Sequence, residues 1–226
     1  MAPESPRTAV LAGGSGLVGG FCLDGLLRSR RYVRVVALGR RDVGQPHPKL
    51  ERRIVDFGNL PPLQPLDGLD VYCALGTTIA KAGSQKAFRE IDFGYTVALA
   101  RRAREAGAAR FLLVSSVGAN ARSGNFYLRV KGEVEEAVEA MGFEAVHIFR
   151  PSLIFGERAE RRVAEKMTIA LARPAQYALI GALRRFRPIQ ASQIAAAMIA
   201  AAGSGAAGEW IHEYDDILRL AQAAVE

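Results

Sequence analysis

Seven residues near the start of the chain constrain it most. Gly13-Gly14-Ser15-Gly16-Leu17-Val18-Gly19 follows directly on the apolar run Thr8-Ala9-Val10-Leu11-Ala12 and opens a helical pattern over Leu17–Arg28. Gly13, Gly16 and Gly19 recur at three-residue spacing. The first permits a tight turn after a strand, the second lets backbone approach a phosphate, and the third lets helix and sheet pack closely. A helix beginning there points unpaired N–H groups and the positive end of its dipole at an anion. Strand, glycine loop and helix in that order imply a βαβ unit with a dinucleotide pyrophosphate held across residues 13–19.

The rest of the sequence repeats that grammar. Further strands are expected at 33–38, 53–56, 71–75, 111–114 and 145–149, with helices at 84–106 and 126–141. Short apolar runs alternating with helical patterns specify right-handed crossovers and a parallel sheet buried on both faces. The expected class is therefore α/β, a doubly wound sheet with helices on both faces. The roughly 75 residues after Pro151 read as mostly helical, punctuated by Pro174, Gly181 and Pro188. They are too few for a second core, so they are assigned to a small cap over the strand ends and the closing helices of one domain.

Composition removes several alternatives. Half of the 226 residues are hydrophobic, enough for a sizeable core. No apolar run approaches the roughly 20 residues of a membrane span. The first residues lack a basic segment followed by an apolar one, so a cytoplasmic location is expected by default. The net charge of +7 comes from scattered arginines: 28, 30 and 31; 40 and 41; 101, 102 and 104; 161 and 162; 184, 185 and 187. With no long basic block and no interleaved aromatics, they read as solvated helix faces rather than a nucleic-acid surface. Cys22 is expected in the first helix and Cys73 in a strand, both as core residues. His47 reads as surface, His147 as core, and His212 follows Trp210. None has ligand spacing, so no metal site is expected. Glu133, Glu135, Glu136 and Glu139 read as a solvated helix face, and Asp216 as a helix cap.

About 20 residues beyond the loop, at the end of the second strand, an acidic residue would hold a ribose 2′-hydroxyl. Here Gly39-Arg40-Arg41 stands instead, with Asp42 one step later. Guanidinium groups suit a 2′-phosphate, so NADP(H) is expected over NAD(H). Downstream, Tyr127-Leu128-Arg129-Val130-Lys131 puts a phenol and an ammonium on one helix face. A free tyrosine, with a pKa of about 10, is a poor base at neutral pH, and a nearby ammonium favours its phenolate. Ser116, at the end of the preceding strand, is placed to polarise a carbonyl, with Ser115 the alternative if the strand end shifts by one. Tyr127 would pass a proton to the substrate oxygen while hydride goes to carbon.

These motifs resemble the atypical short-chain dehydrogenase/reductases, and within them the Tat-interacting, metastasis-suppressor-type oxidoreductases. The likeness runs through residues 13–19, Leu38-Gly39-Arg40-Arg41, Val55-Asp56-Phe57, Leu75-Gly76-Thr77-Thr78 followed by Lys81-Ala82-Gly83, Leu113-Val114-Ser115-Ser116, Tyr127 to Glu135, and Phe149-Arg150-Pro151. The resemblance implies that Asp56 and Phe57 lie against an adenine. It places Ala74, Leu75, Gly76 and Thr77 along the cofactor's middle, Ser115 beside it, and Pro151 and Ser152 at the nicotinamide. Pro188-Ile189 would return the C-terminal segment to the sheet. Superfamily members often carry an asparagine on the long helix before the serine strand, and the equivalent place here holds Asp92. The reading is an NADP(H)-dependent oxidoreductase acting on a small carbonyl or alcohol, as a monomer or homodimer. The alternative is an NADPH-binding regulatory module with little turnover, and a nucleotide-sugar isomerase or dehydratase is a minor third.

Overall fold

The computed structural model describes residues 6–65, 68–156 and 179–223. Strands β1 (Arg7–Ala12), β2 (Tyr32–Gly39), β3 (Leu50–Ile54), β4 (Leu69–Cys73), β5 (Arg110–Val114), β6 (Ala145–Phe149) and β9 (Gly208–His212) form one sheet in the order β3-β2-β1-β4-β5-β6-β9. Every pairing in it is parallel. Strand order reverses between β1 and β4, which opens a crevice at the carboxyl ends of those strands. Ala12 pairs with Leu38 on one side and Cys73 on the other, and Val114 with Phe149. That register brings the residues after β1, β2, β4, β5 and β6 to one edge.

Alternation along the strands divides the core in two. Ala9, Leu11, Val35, Ala37, Tyr72, Leu112 and Phe149 face α1 (Leu17–Arg28), α6 (Ala191–Gly203) and α7 (Tyr214–Ala223). Val10, Val36, Leu38, Val71, Phe111, Leu113 and Ile148 face α4 (Thr96–Glu105) and α5 (Phe126–Glu139). Cys22 and Cys73 are free thiols, one in each half, as expected. Burial pushes both thiol pKa values up, that of Cys73 to about 11.

Several elements differ from the sequence reading. The third strand lies earlier, at Leu50–Ile54, and Asp56 instead caps the 3-10 turn Phe57–Asn59. The expected helix at 84–106 is α3 (Gln85–Arg89), a π-helical turn (Glu90–Tyr95) and α4, preceded by the one-turn α2 (Ile79–Ala82). β9 lies in a segment read as mostly helical. A separate pair, β7 (Ile154–Phe155) with β8 (Ile189–Gln190), joins the two ends of the expected cap. Of the residues after Pro151 assigned to the cap and closing helices, 157–178 and 224–226 lie outside the described residues.

Two charge readings are corrected by packing. Glu135 is not on a solvated face: it is 3% exposed and makes a two-point contact with Arg150, at 3.0 Å to Nε and 2.5 Å to Nη2. Arg31 is also largely enclosed, with Nε 3.7 Å from the buried carboxylate of Asp70. Arg7, Arg110 and the Tyr32 hydroxyl converge on the same carboxylate. This knot ties the N-terminal ends of β1, β2, β4 and β5, opposite the crevice. Asp216 lies in the first turn of α7 rather than before it, and pairs with Arg219.

Candidate functional site

The crevice at the strand switch is a cleft of about 710 Å³. Gly13, Gly14, Ser15 and Gly16 form its floor, with Arg40, Arg41, Phe57, Ala74, Leu75, Gly76 and Thr77 along its walls. Two glycines are required by contact. Gly13 has φ +91°, and a Cβ there would lie 2.4 Å from the Ala74 carbonyl oxygen. A Cβ on Gly19 would lie 2.1 Å from the Gly13 carbonyl oxygen. Any side chain at either position would therefore push the loop off the sheet.

Gly16 is the N-cap of α1, supplies no capping side chain, and no acidic residue follows in the first turn. The orphan N–H groups of this 12-residue helix are thus available to an anion at the cleft floor. Beyond the end of β2, Arg40 and Arg41 are both solvent-exposed on the wall. Asp42 is turned aside: it pairs with Arg52 at 2.9 Å and accepts from the Val43 N–H. The acid that follows the arginine pair is therefore engaged elsewhere, and Arg40, Arg41 and Lys81 put cations on the wall. Phe57 is buried and stacks on Tyr95 with ring centroids 5.9 Å apart. The Asp56 carboxylate is exposed and accepts from the Gly58 N–H.

Sequence reading missed Lys81, Ile91 and Tyr95, which also line the cleft. Lys81 lay within a stretch already singled out, but its position depends on how α2 folds back after β4. Ile91 and Tyr95 lie in and at the end of the π turn, which gave no sequence signal.

The expected catalytic residues sit on α5 and just beyond β5, and none of them lines the cleft itself. Ser115 and Val117 continue the pairing beyond β5, donating to the Phe149 and Pro151 carbonyls at 2.7 and 2.9 Å. Ser115 is buried and its Oγ has no hydrogen-bond partner among the described residues, whereas Ser116 is half-buried. Asn125 caps α5 by accepting from the Leu128 N–H. Tyr127 lies in the first turn, its ring 5.4 Å from that of the fully buried Phe88. Lys131 lies one turn on, buried, with Nζ 2.6 Å from Asp92 Oδ1. Asp92 Oδ2 accepts from the Thr77 N–H at 3.0 Å. A Cβ on Gly76 would lie 3.7 Å from Lys131 Nζ, so the ammonium stands directly behind the cleft wall.

Not every expected residue meets the cleft through its side chain. Leu17 and Val18 pack into the core on α1, Val18 being buried. Pro151 is buried, and the Ser152 hydroxyl is directed at the carbonyls of Phe186 and Arg187, 3.0 and 2.5 Å away. His147 and His212 stack in the core, Nδ1 to Nε2 at 3.1 Å. Among the described residues no three His, Cys, Asp or Glu side chains gather as a metal site, and no helix is long and apolar enough to cross a membrane.

No protein-family model matches the chain. The chain is similar to the protein fmp52, mitochondrial, of Aspergillus fumigatus, at 39% identity over 164 residues, covering 69% of this chain and 70% of that protein. It is similar to the protein HTATIP2 of Rattus norvegicus at 35% identity, covering 70% and 67%. Among solved structures it resembles MoeE5 in complex with UDP-glucose and NAD, with a TM-score of 0.67, 15% identity, and 96% and 81% coverage. It also resembles the Bordetella bronchiseptica enzyme WbmH in complex with NAD+, with a TM-score of 0.66, 14% identity, and 97% and 80% coverage. At those identities the structures establish the fold alone, a Rossmann-like α/β domain. The cytoplasmic expectation is corrected: the Aspergillus relatives are named as mitochondrial proteins. By its sequence likeness over two thirds of these relatives, the chain belongs to the family of Fmp52 and HTATIP2.

Proposed function

We propose that the chain is an NADP(H)-dependent oxidoreductase acting on a carbonyl or alcohol. The observation that carries this reading is the placement of Lys131 Nζ behind Gly76, on the helix that also bears Tyr127. The residues present fit the cofactor: a glycine floor at a helix N-terminus for the pyrophosphate, Arg40 and Arg41 for a 2′-phosphate, and an ammonium at the inner wall for a ribose. When bound, the nicotinamide supplies or accepts the hydride.

The chain's own residues do the rest. The Tyr127 hydroxyl donates its proton to the substrate oxygen during reduction and takes it back during oxidation. A serine hydroxyl, from Ser116 or from Ser115, donates a hydrogen bond to the same oxygen. Lys131 orients the ribose hydroxyls and so fixes the distance over which hydride moves. Following the names of its relatives, we place the protein at mitochondria, which fractionation of cells expressing it would check.

A Tyr127→Phe variant tests the assignment. In a screen of ketones, aldehydes and quinones with NADPH, turnover is expected to fall at least about 100-fold while NADPH affinity holds. Unchanged turnover removes Tyr127 from the chemistry. NADPH binding with no turnover of any screened carbonyl by the unsubstituted protein would favour the alternative, a nucleotide-binding regulatory module.

A further inference from the structure

The π turn Glu90–Tyr95 interrupts what would otherwise be a continuous helix from α3 to α4. Such turns widen the helix by one residue and often mark functional positions. Asp92 is the single buried residue of that turn, at 1% exposure. Its two carboxylate oxygens face different partners: Oδ1 lies 2.6 Å from Lys131 Nζ on α5, and Oδ2 accepts the Thr77 N–H at 3.0 Å. Three separate elements therefore meet at one carboxylate, immediately behind Gly76 on the cleft wall.

The charge balance shows what the carboxylate supplies. Burial alone would pull the Lys131 pKa down. The opposed Asp92 carboxylate offsets this and, with smaller upward contributions from Tyr127 on α5 and Cys73 on β4, holds the pKa above its ordinary value. Lys131 thus stays an ammonium despite being 7% exposed. A neutral side chain at position 92 could accept from Lys131 or from Thr77, but an asparagine would turn its own N–H group toward one of two donors.

We propose that Asp92 is a positioning residue of this site: it ties the Lys131 ammonium to the Thr77 backbone and so fixes it against the cofactor-facing wall. Removing the carboxylate while leaving the lysine in place leaves a buried cation without a counter-charge, which is more disruptive than removing both. The Lys131 amine then sheds its proton at lower pH, and the wall loses its cation as pH rises. The binding consequences rest on the proposed cofactor reading, but the state of the Lys131 amine does not.

The test uses the free protein and an Asp92→Asn variant, with folding checked by circular dichroism. Peptide mass spectrometry would follow acylation of Lys131 by an amine-reactive ester between pH 7 and 9, with the exposed Lys86 as internal control. The variant is expected to acylate Lys131 at least about 10-fold faster than the parent at pH 8, with Lys86 unchanged, because only the neutral amine reacts. NADPH titration of the same samples is expected to weaken several-fold, and to fail at lower pH than in the parent. Equal Lys131 reactivity in a folded variant overturns the proposal. If Asp92→Asn does not fold, the Asp92→Asn/Lys131→Met double variant is expected to recover folding, and failure to recover overturns it too. A parent protein that binds no NADPH, combined with faster acylation in the variant, would sink the cofactor reading and leave the role of Asp92 standing.

Discussion

At the scale of single residues, the places of Gly13, Gly19 and Arg40 were legible because their local signal does not depend on distant partners. A missing Cβ or a charge at a strand end means the same thing in any chain with this grammar. Asp92 and Glu135 were not legible in that way. Each reads as one more acid on a helix, and only the tertiary partners Lys131 and Arg150 show them to be buried. The His147–His212 pair is another such case, with 65 residues between its members. Burial, then the neighbouring His212 imidazole and the Arg110 guanidinium, hold the His147 pKa down at about 4, while Asp70 pushes weakly the other way. His212 is held down by burial as well. Both are therefore neutral in the folded protein at neutral pH. Below about pH 6.5 the unfolded chain gains protons that the folded core refuses, so stability is full above that pH and falls as pH drops toward about 4. Thermal unfolding across pH 7.5 to 4 is expected to show this loss, up to about 3 kcal/mol for His147. A His147→Gln variant would flatten the slope, and an identical slope in the variant would remove the pair from the acid response.

At the scale of elements, the buried strands β1, β2, β4, β5 and β6 were visible as apolar runs bounded by glycine or proline. The edge strands were harder. Leu50-Glu51-Arg52-Arg53-Ile54 carries charges at its centre, and four of the five residues of Gly208–His212 are exposed. Neither contains a buried run to read, and their strand character comes from the neighbour they pair with. The helix expected at 84–106 was broken by a π turn for which the sequence offers no proline or glycine pair as warning. Glu135 and Arg150 join α5 to the end of β6, and so hold the helix bearing Tyr127 and Lys131 against the sheet. Glu135→Ala would leave a partly enclosed guanidinium without its counter-charge. It is expected to cost about 2–4 kcal/mol, read by urea unfolding, whereas an exposed control such as Glu136→Ala would stay within about 0.5 kcal/mol. Similar losses for the two variants would mean that the ion pair does not anchor the helix.

At the scale of the whole molecule, the architecture followed from the order of short motifs, because right-handed crossovers leave few ways to arrange alternating strands and helices. The location did not follow, since cellular address is set by recognition elsewhere and not by the physics of the sheet. Cofactor identity lies between these cases. The fold provides a cleft at the strand switch, and two exposed guanidinium groups on its wall give it a sign. The most direct test of this account is a fluorescence titration of the purified protein with NADPH and separately with NADH, repeated on Arg40→Ala. NADPH is expected to bind at least about 10-fold more tightly than NADH, and the variant to lose most of that difference while NADH affinity stays the same. Equal affinity for the two nucleotides, or no binding of either at millimolar concentration, would contradict it.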